Sequence, residues 1–130
     1  MAKSKILTPD TTIPVGKEEY SAAIWRELRV LPDLLAEGEY VVEMDMAWNR
    51  LPGLLAVTNK RIIFLRKGLL LRSRMRVLSI SLSDVFRVGL YPEKFGTSQI
   101  VVELAKRRYA FSQLSHGERA KGMVAAMHTS

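Results

Sequence analysis

The 130-residue sequence contains no cysteine, so it can form neither a disulfide framework nor a thiolate metal site, in keeping with a reducing compartment. It has only two histidines, His116 and His128, and neither has metal-ligand spacing to a second such ligand. The Ser115-His116 adjacency is not a catalytic arrangement, because such partners meet in space from different elements. There is no glycine-rich phosphate loop, and no uncharged apolar run approaches the ~20 residues that span a bilayer. After Met1-Ala2-Lys3-Ser4-Lys5, only Ile6 and Leu7 precede Thr8-Pro9-Asp10, so the apolar stretch of a signal peptide is missing. The expectation is a non-enzymatic protein without cofactor, cytoplasmic or peripheral to the inner face of the membrane.

What is present is an apolar fraction of 48%, enough to build one domain of this length, and a marked basic excess. Twenty Lys and Arg against thirteen Asp and Glu give +7, which favours an anionic partner such as lipid headgroups or nucleic acid. The charge is uneven. Lys60, Arg61, Arg66, Lys67, Arg72, Arg74 and Arg76 fall in one stretch with no acidic residue.

Residues 1–16 show no lasting period and read as an irregular arm. Residues 17–37 read as a helical segment, with Tyr20, Ile24, Leu28 and Leu31 three or four apart, an interruption at Pro32, a further turn through Leu34 and Leu35, and a stop at Gly38. This amphipathic helix packs on the following domain or in a subunit interface. From residue 38 to the end the pattern is that of a compact β domain. Tyr40, Val42, Met44, Met46 and Trp48 alternate with Glu43 and Asp45, which predicts a strand with a polar outer face. Asn49 to Gly53 reads as a turn. The runs Leu54 to Val57 and Ile62 to Leu65 flank Thr58-Asn59-Lys60-Arg61 as a hairpin. A second hairpin turns within Lys67 to Ser73, and further strands are expected around Met75 to Leu82, Phe86 to Leu90, Ile100 to Leu104 and Tyr109 to Phe111. Ser115 to Glu118 has capping-box spacing, and Ala120, Met123, Val124 and Met127 share one face of a final helix in which Gly122 implies close approach to a strand. Among the aromatics, Trp48, Phe64, Phe86, Tyr109 and Phe111 suit the core, and Phe95 is expected to be exposed.

Seven short strands in close succession cannot all bury their faces in one flat sheet without exposed edges, so the expected fold is mainly β, a barrel or two packed sheets, with the carboxy-terminal helix covering an open end and an additional amino-terminal helix. Gly53-Leu54-Leu55-Ala56-Val57-Thr58-Asn59-Lys60-Arg61-Ile62-Ile63-Phe64 resembles the signature hairpin of bacterial pleckstrin-homology-like (PH-like) and GRAM-like domains, an apolar strand ending in Thr-Asn-x-Arg and resuming with aliphatic residues and an aromatic. Ile80-Ser81-Leu82-Ser83-Asp84-Val85 and Tyr109-Ala110-Phe111 followed by a helix resemble later segments of that family, while Ala105-Lys106-Arg107-Arg108 departs from its usual Asn-Gly or Asp-Gly turn. The resemblance implies a seven-stranded antiparallel barrel closed by the carboxy-terminal helix, and a binding or assembly module. For Thr-Asn-x-Arg itself, the residue chemistry points to Thr58 and Asn59 capping the turn while Arg61 pairs with a carboxylate.

The candidate contact surface is the second hairpin: Arg66, Lys67, Leu69, Leu70, Leu71, Arg72, Arg74 and Arg76, three leucines flanked by cations. Such a loop can bind a protein partner or a second copy, dip into an anionic bilayer, or continue its strands into the core. Protein association is the first expectation and anionic lipid the second. Nucleic acid is disfavoured, because the cations interleave with leucine instead of with stacking aromatics.

Overall fold

A computed structural model describes residues 25–66, 75–93, 96–114 and 117–127. Helix α1 (Trp25–Leu34) precedes strands β1 (Val41–Asn49), β2 (Leu51–Thr58), β3 (Arg61–Arg66), β4 (Arg76–Ser81), β5 (Arg87–Pro92), β6 (Ser98–Glu103) and β7 (Arg108–Leu114), with one 3-10 turn at Leu82–Asp84. Helix α2 (Gly117–Met127) ends the described chain. The protein is mainly β. All seven strands are antiparallel to their neighbours in one sheet of order β4-β3-β2-β1-β7-β6-β5.

That order dictates the sheet's shape. In a flat sheet, six interstrand steps of about 4.8 Å would set β4 and β5 about 29 Å apart. The chain from Ser81 to Arg87 reaches at most about 21 Å. The sheet must therefore curl until its two ends approach. It is not closed by hydrogen bonds: β4 and β5 are both edge strands, so the expected barrel is an open one.

Both faces of the sheet's centre are covered, which explains the unbroken apolar runs in β2 and β3. On the inner face, Leu55, Val57, Ile62, Phe64, Ile80, Ile100, Val102 and Phe111 form the main core with Ala120, Met123, Ala126 and Met127 of α2. The rings of Phe64 and Phe111 lie 5.2 Å apart at a tilted angle. On the outer face, Leu28, Leu31 and Leu35 from α1 and its end pack on Val41, Met44, Leu54, Ala56, Ile63 and Leu65. Each fully buried leucine in this layer contributes about 1.5–3 kcal/mol relative to exposure. At Gly53 in β2 there is no room for a side chain: an added Cβ would collide with the Leu65 carbonyl oxygen of β3.

Four expectations need correction. Helix α1 runs through Pro32 to Leu34 instead of breaking there: Pro32 has no N–H for the Leu28 carbonyl, and burial of Leu28, Leu31 and Leu35 against the sheet offsets that loss. Pro52 and Gly53 belong to β2, and the turn is confined to Arg50, because Asn49 already pairs with Leu51. The β2–β3 ladder begins at Gly53, so Pro52 removes no hydrogen bond from it. Strand β1 does not hold one alternation, since a register shift between Val41 and Glu43 puts Val41 and Met44 in the outer layer and leaves Tyr40 and Val42 exposed. Asp45 is consequently fully buried, accepting a hydrogen bond from the Met46 N–H at 2.8 Å, and does not lie on a solvated face. Glu43 on the same side of β1 meets α2, where a Cβ at Gly122 would lie 3.2 Å from its Oε2. Finally, Phe86 is not core: it precedes β5 and is 74% exposed. The segment 17–24, Phe95 and the Ser115 to Glu118 cap lie outside what the structure describes.

Candidate functional site

Arginines stand at both ends of the β2–β3 hairpin, one at its turn and several at its open end. At its turn, the Thr58 hydroxyl accepts hydrogen bonds from the N–H groups of Lys60 (3.0 Å) and Arg61 (2.9 Å) and donates to Glu39 Oε2 at 2.7 Å. Asn59 Oδ1 accepts from the Tyr40 N–H at 2.9 Å, and its amide nitrogen Nδ2 donates to the Gly38 carbonyl at 3.1 Å. Arg61 forks onto Glu39, with Nε to Oε2 at 2.8 Å and Nη2 to Oε1 at 3.0 Å. The same Nη2 donates to the Leu34 carbonyl at 2.6 Å, and Nη1 donates to Ser79 Oγ at 3.2 Å. Leu34 ends α1, so one guanidinium satisfies a helix-terminal carbonyl and bridges α1, the lead-in to β1, and β4. Glu39 is only 1% exposed. Burial alone would push its carboxyl up; the hydrogen bonds from Arg61, the Ala36 N–H and Thr58, with the Arg61 charge, outweigh it and hold the carboxyl below its ordinary value. The Thr-Asn-x-Arg motif thus acts as a latch, with Thr58 and Asn59 capping and Arg61 on a carboxylate, as its residue chemistry suggested.

At the other end of the hairpin the arginines face a cleft. The seam between β1 and β7 pairs at Trp48 and Ser112, supported by Asn49 Nδ2 donating to the Ala110 carbonyl at 3.0 Å. Beside that seam lies a cleft of about 500 Å³ lined by Trp48, Asn49, Arg50, Arg66, Arg108, Tyr109, Ala110 and Ser112. Three arginines from the β1–β2 turn, the end of β3 and the start of β7 share it, and no lining residue is acidic. Arg50 holds a left-handed backbone, φ 71°, which an L-residue adopts at a cost of roughly 1–2 kcal/mol. Arg107 Nη1 donates to the Tyr109 hydroxyl at 3.2 Å, bringing a further cation beside the cleft wall.

Of the residues expected at the contact surface, Arg66 lines this cleft, and Arg76, exposed, stands directly opposite it at the start of β4. Lys67, Leu69, Leu70, Leu71, Arg72 and Arg74 lie outside the described residues. Arg50 and Arg108 were not singled out from the sequence; the run Lys106-Arg107-Arg108 in place of a glycine turn was the available signal, but its neighbourhood depends on the β1–β7 pairing. Glu43 and Asp45 meet the inner face instead of forming an exposed pair. Among the described residues there is no group of three or more carboxylates and histidines that could hold a metal ion, and no helix long and apolar enough to cross a membrane.

A scan against protein-family models finds none that matches the chain, and a search of curated proteins finds no match in sequence.

Proposed function

We propose that the chain is a non-catalytic binding module of PH-like type whose cleft takes an anionic, phosphate-bearing group. The observation that carries this reading is the convergence of Arg50, Arg66 and Arg108 on one open cleft without a carboxylate in its lining. Guanidinium forks match phosphate geometry, and Asn49 and Ser112 add neutral hydrogen-bonding groups at the same wall. The Arg66 and Arg76 pair extends the positive surface towards the hairpin that the sequence singled out.

Trp48 in the lining gives a direct readout. Titration with a soluble phosphate ester is expected to change its fluorescence, with affinity falling as salt rises. Arg108→Glu should weaken binding at least tenfold, and Trp48→Phe should remove the signal but not the binding seen by calorimetry. Unchanged affinity in Arg108→Glu would refute the cleft as the site.

Protein association, the first expectation from sequence, draws support from the β4 edge, where Val77 is 47% exposed beside backbone that no strand among the described residues covers. Light scattering over a concentration series tests it: growth in mass with concentration, abolished by Val77→Lys, is the expected result, and a monomer throughout removes self-association.

A further inference from the structure

The cleft holds more than its cations. Trp48 and Tyr109 line it together with Arg50, Arg66 and Arg108, and both aromatic residues are half-buried, so the core does not cover either completely. Along the chain the basic stretch interleaves with leucine; in space, three arginines stand among aromatics instead. Trp48 pairs with Ser112 across the seam, and Tyr109 precedes Ser112 by three residues on β7, which displaces the two aromatics by about 10 Å along the strand direction. Arg107 Nη1, donating to the Tyr109 hydroxyl at 3.2 Å, holds that ring in place.

The neutral part of the lining has a sign of its own. Asn49 Nδ2 donates to the Ala110 carbonyl at 3.0 Å, which leaves Oδ1 as an acceptor. Ser112 directs its hydroxyl hydrogen to the Trp48 carbonyl in a long bond of 3.4 Å, which leaves the lone pairs of Oγ. A phosphate presents acceptor oxygens, so it matches the guanidiniums and has no use for these two groups. They match N–H and O–H donors. At about 500 Å³ the cleft falls within the ~300–1,000 Å³ of small-molecule sites and has room beyond a phosphate. A ligand that uses the whole lining carries an anion for the arginines, a flat ring for an aromatic face and donor groups for Asn49 and Ser112. A nucleoside phosphate has all three, in its phosphate, its base and its amino or ribose hydroxyl groups.

We infer that the cleft takes a nucleoside phosphate, with Arg50, Arg66 and Arg108 on the phosphate and the base against Trp48, beside the Asn49 and Ser112 acceptors. The inference rests on the cleft reading and names its ligand class. Trp48 is the aromatic next to both acceptors, in sequence to Asn49 and across the seam to Ser112. A free nucleotide and one unit of a single strand offer the same chemistry.

Calorimetry on the full chain with adenosine monophosphate, ribose 5-phosphate and adenosine separates the parts. Adenosine monophosphate is expected to bind about tenfold tighter than ribose 5-phosphate, the gain of stacking one base on one aromatic, and adenosine, with no anion, should bind weakest. Trp48→Leu should bring adenosine monophosphate down to the ribose 5-phosphate level and leave ribose 5-phosphate unaltered. The ligand comparison on the wild-type chain needs no variant and decides the matter even where Trp48→Leu lowers the thermal midpoint. Equal affinity for the two phosphates overturns the inference and leaves the cleft reading standing. Failure of the cleft reading shows differently, as binding of both phosphates indifferent to Arg108→Glu. Hexaadenylate identifies the source: a further gain of about tenfold or more, with steeper salt dependence, supports a single strand, and a smaller gain supports a free nucleotide.

Discussion

Arg61 and Arg66 begin and end the same strand, yet the fold treats them in opposite ways. Arg61 meets a buried carboxylate, a helix-terminal carbonyl and a serine hydroxyl, and its charge is absorbed by the structure. Arg66 faces a cleft with Arg50 and Arg108 in its lining and a fourth arginine, Arg76, across the strand pair. Residue type and strand are shared; what separates the two is the surface on which each lies. Glu39 enters at one end of the hairpin, and no carboxylate lines the cleft at the other. In a chain with a surplus of seven positive charges, the cations that matter for binding are those that gather where no carboxylate lines the surface.

Breaking the latch should produce the largest effect on stability. Glu39→Ala leaves the Arg61 guanidinium facing its old site without a counter-charge, and urea denaturation should show a loss of about 3–5 kcal/mol. Acid should do the same reversibly. Because the folded Glu39 carboxyl lies below its ordinary value, its stabilisation is complete above the unfolded-chain value near ~4.3 and disappears as pH falls through the lower folded value. The denaturation midpoint should therefore drop in that window, and Glu39→Gln should flatten this part of the profile. Thr58→Ala removes the turn cap and one donor to Glu39, a loss of about 1–2 kcal/mol in the same assay. At the cleft end the expectation reverses. Arg50→Gly relieves the left-handed backbone and should leave stability equal or slightly higher, within about 1 kcal/mol, while weakening phosphate-ester binding severalfold. A cleft substitution as damaging to folding as Glu39→Ala would erase the distinction between the two ends.

The sequence conveyed the elements well because their signals are local. The Thr58-Asn59 turn, the strand succession and the α2 face of Ala120, Met123 and Met127 each follow from residues within a few positions of one another. Three things were hidden. The shift between Val41 and Glu43 reverses the faces of β1, and nothing in the alternation from Tyr40 to Trp48 announces it. Phe86 has the parity of Val88 and Leu90 but falls just outside the strand, where parity no longer binds it to the core. The cleft joins residues 50, 66 and 108, whose meeting depends on a first strand pairing with a last. A hairpin rich in charge drew attention to Arg66 and Arg76; the partners from the far end of the chain had no local mark.

That last pairing also bears on how the protein is made. Strands β1 to β4 can assemble as successive hairpins while synthesis proceeds, but β1 stays an uncovered edge until Arg108–Leu114 has emerged. Closing the intervening chain carries an entropic cost before any contact repays it, and transient strand edges invite intermolecular pairing. A nascent chain arrested before β7 should thus be the aggregation-prone species, and the β1–β7 seam the last part of the sheet to form.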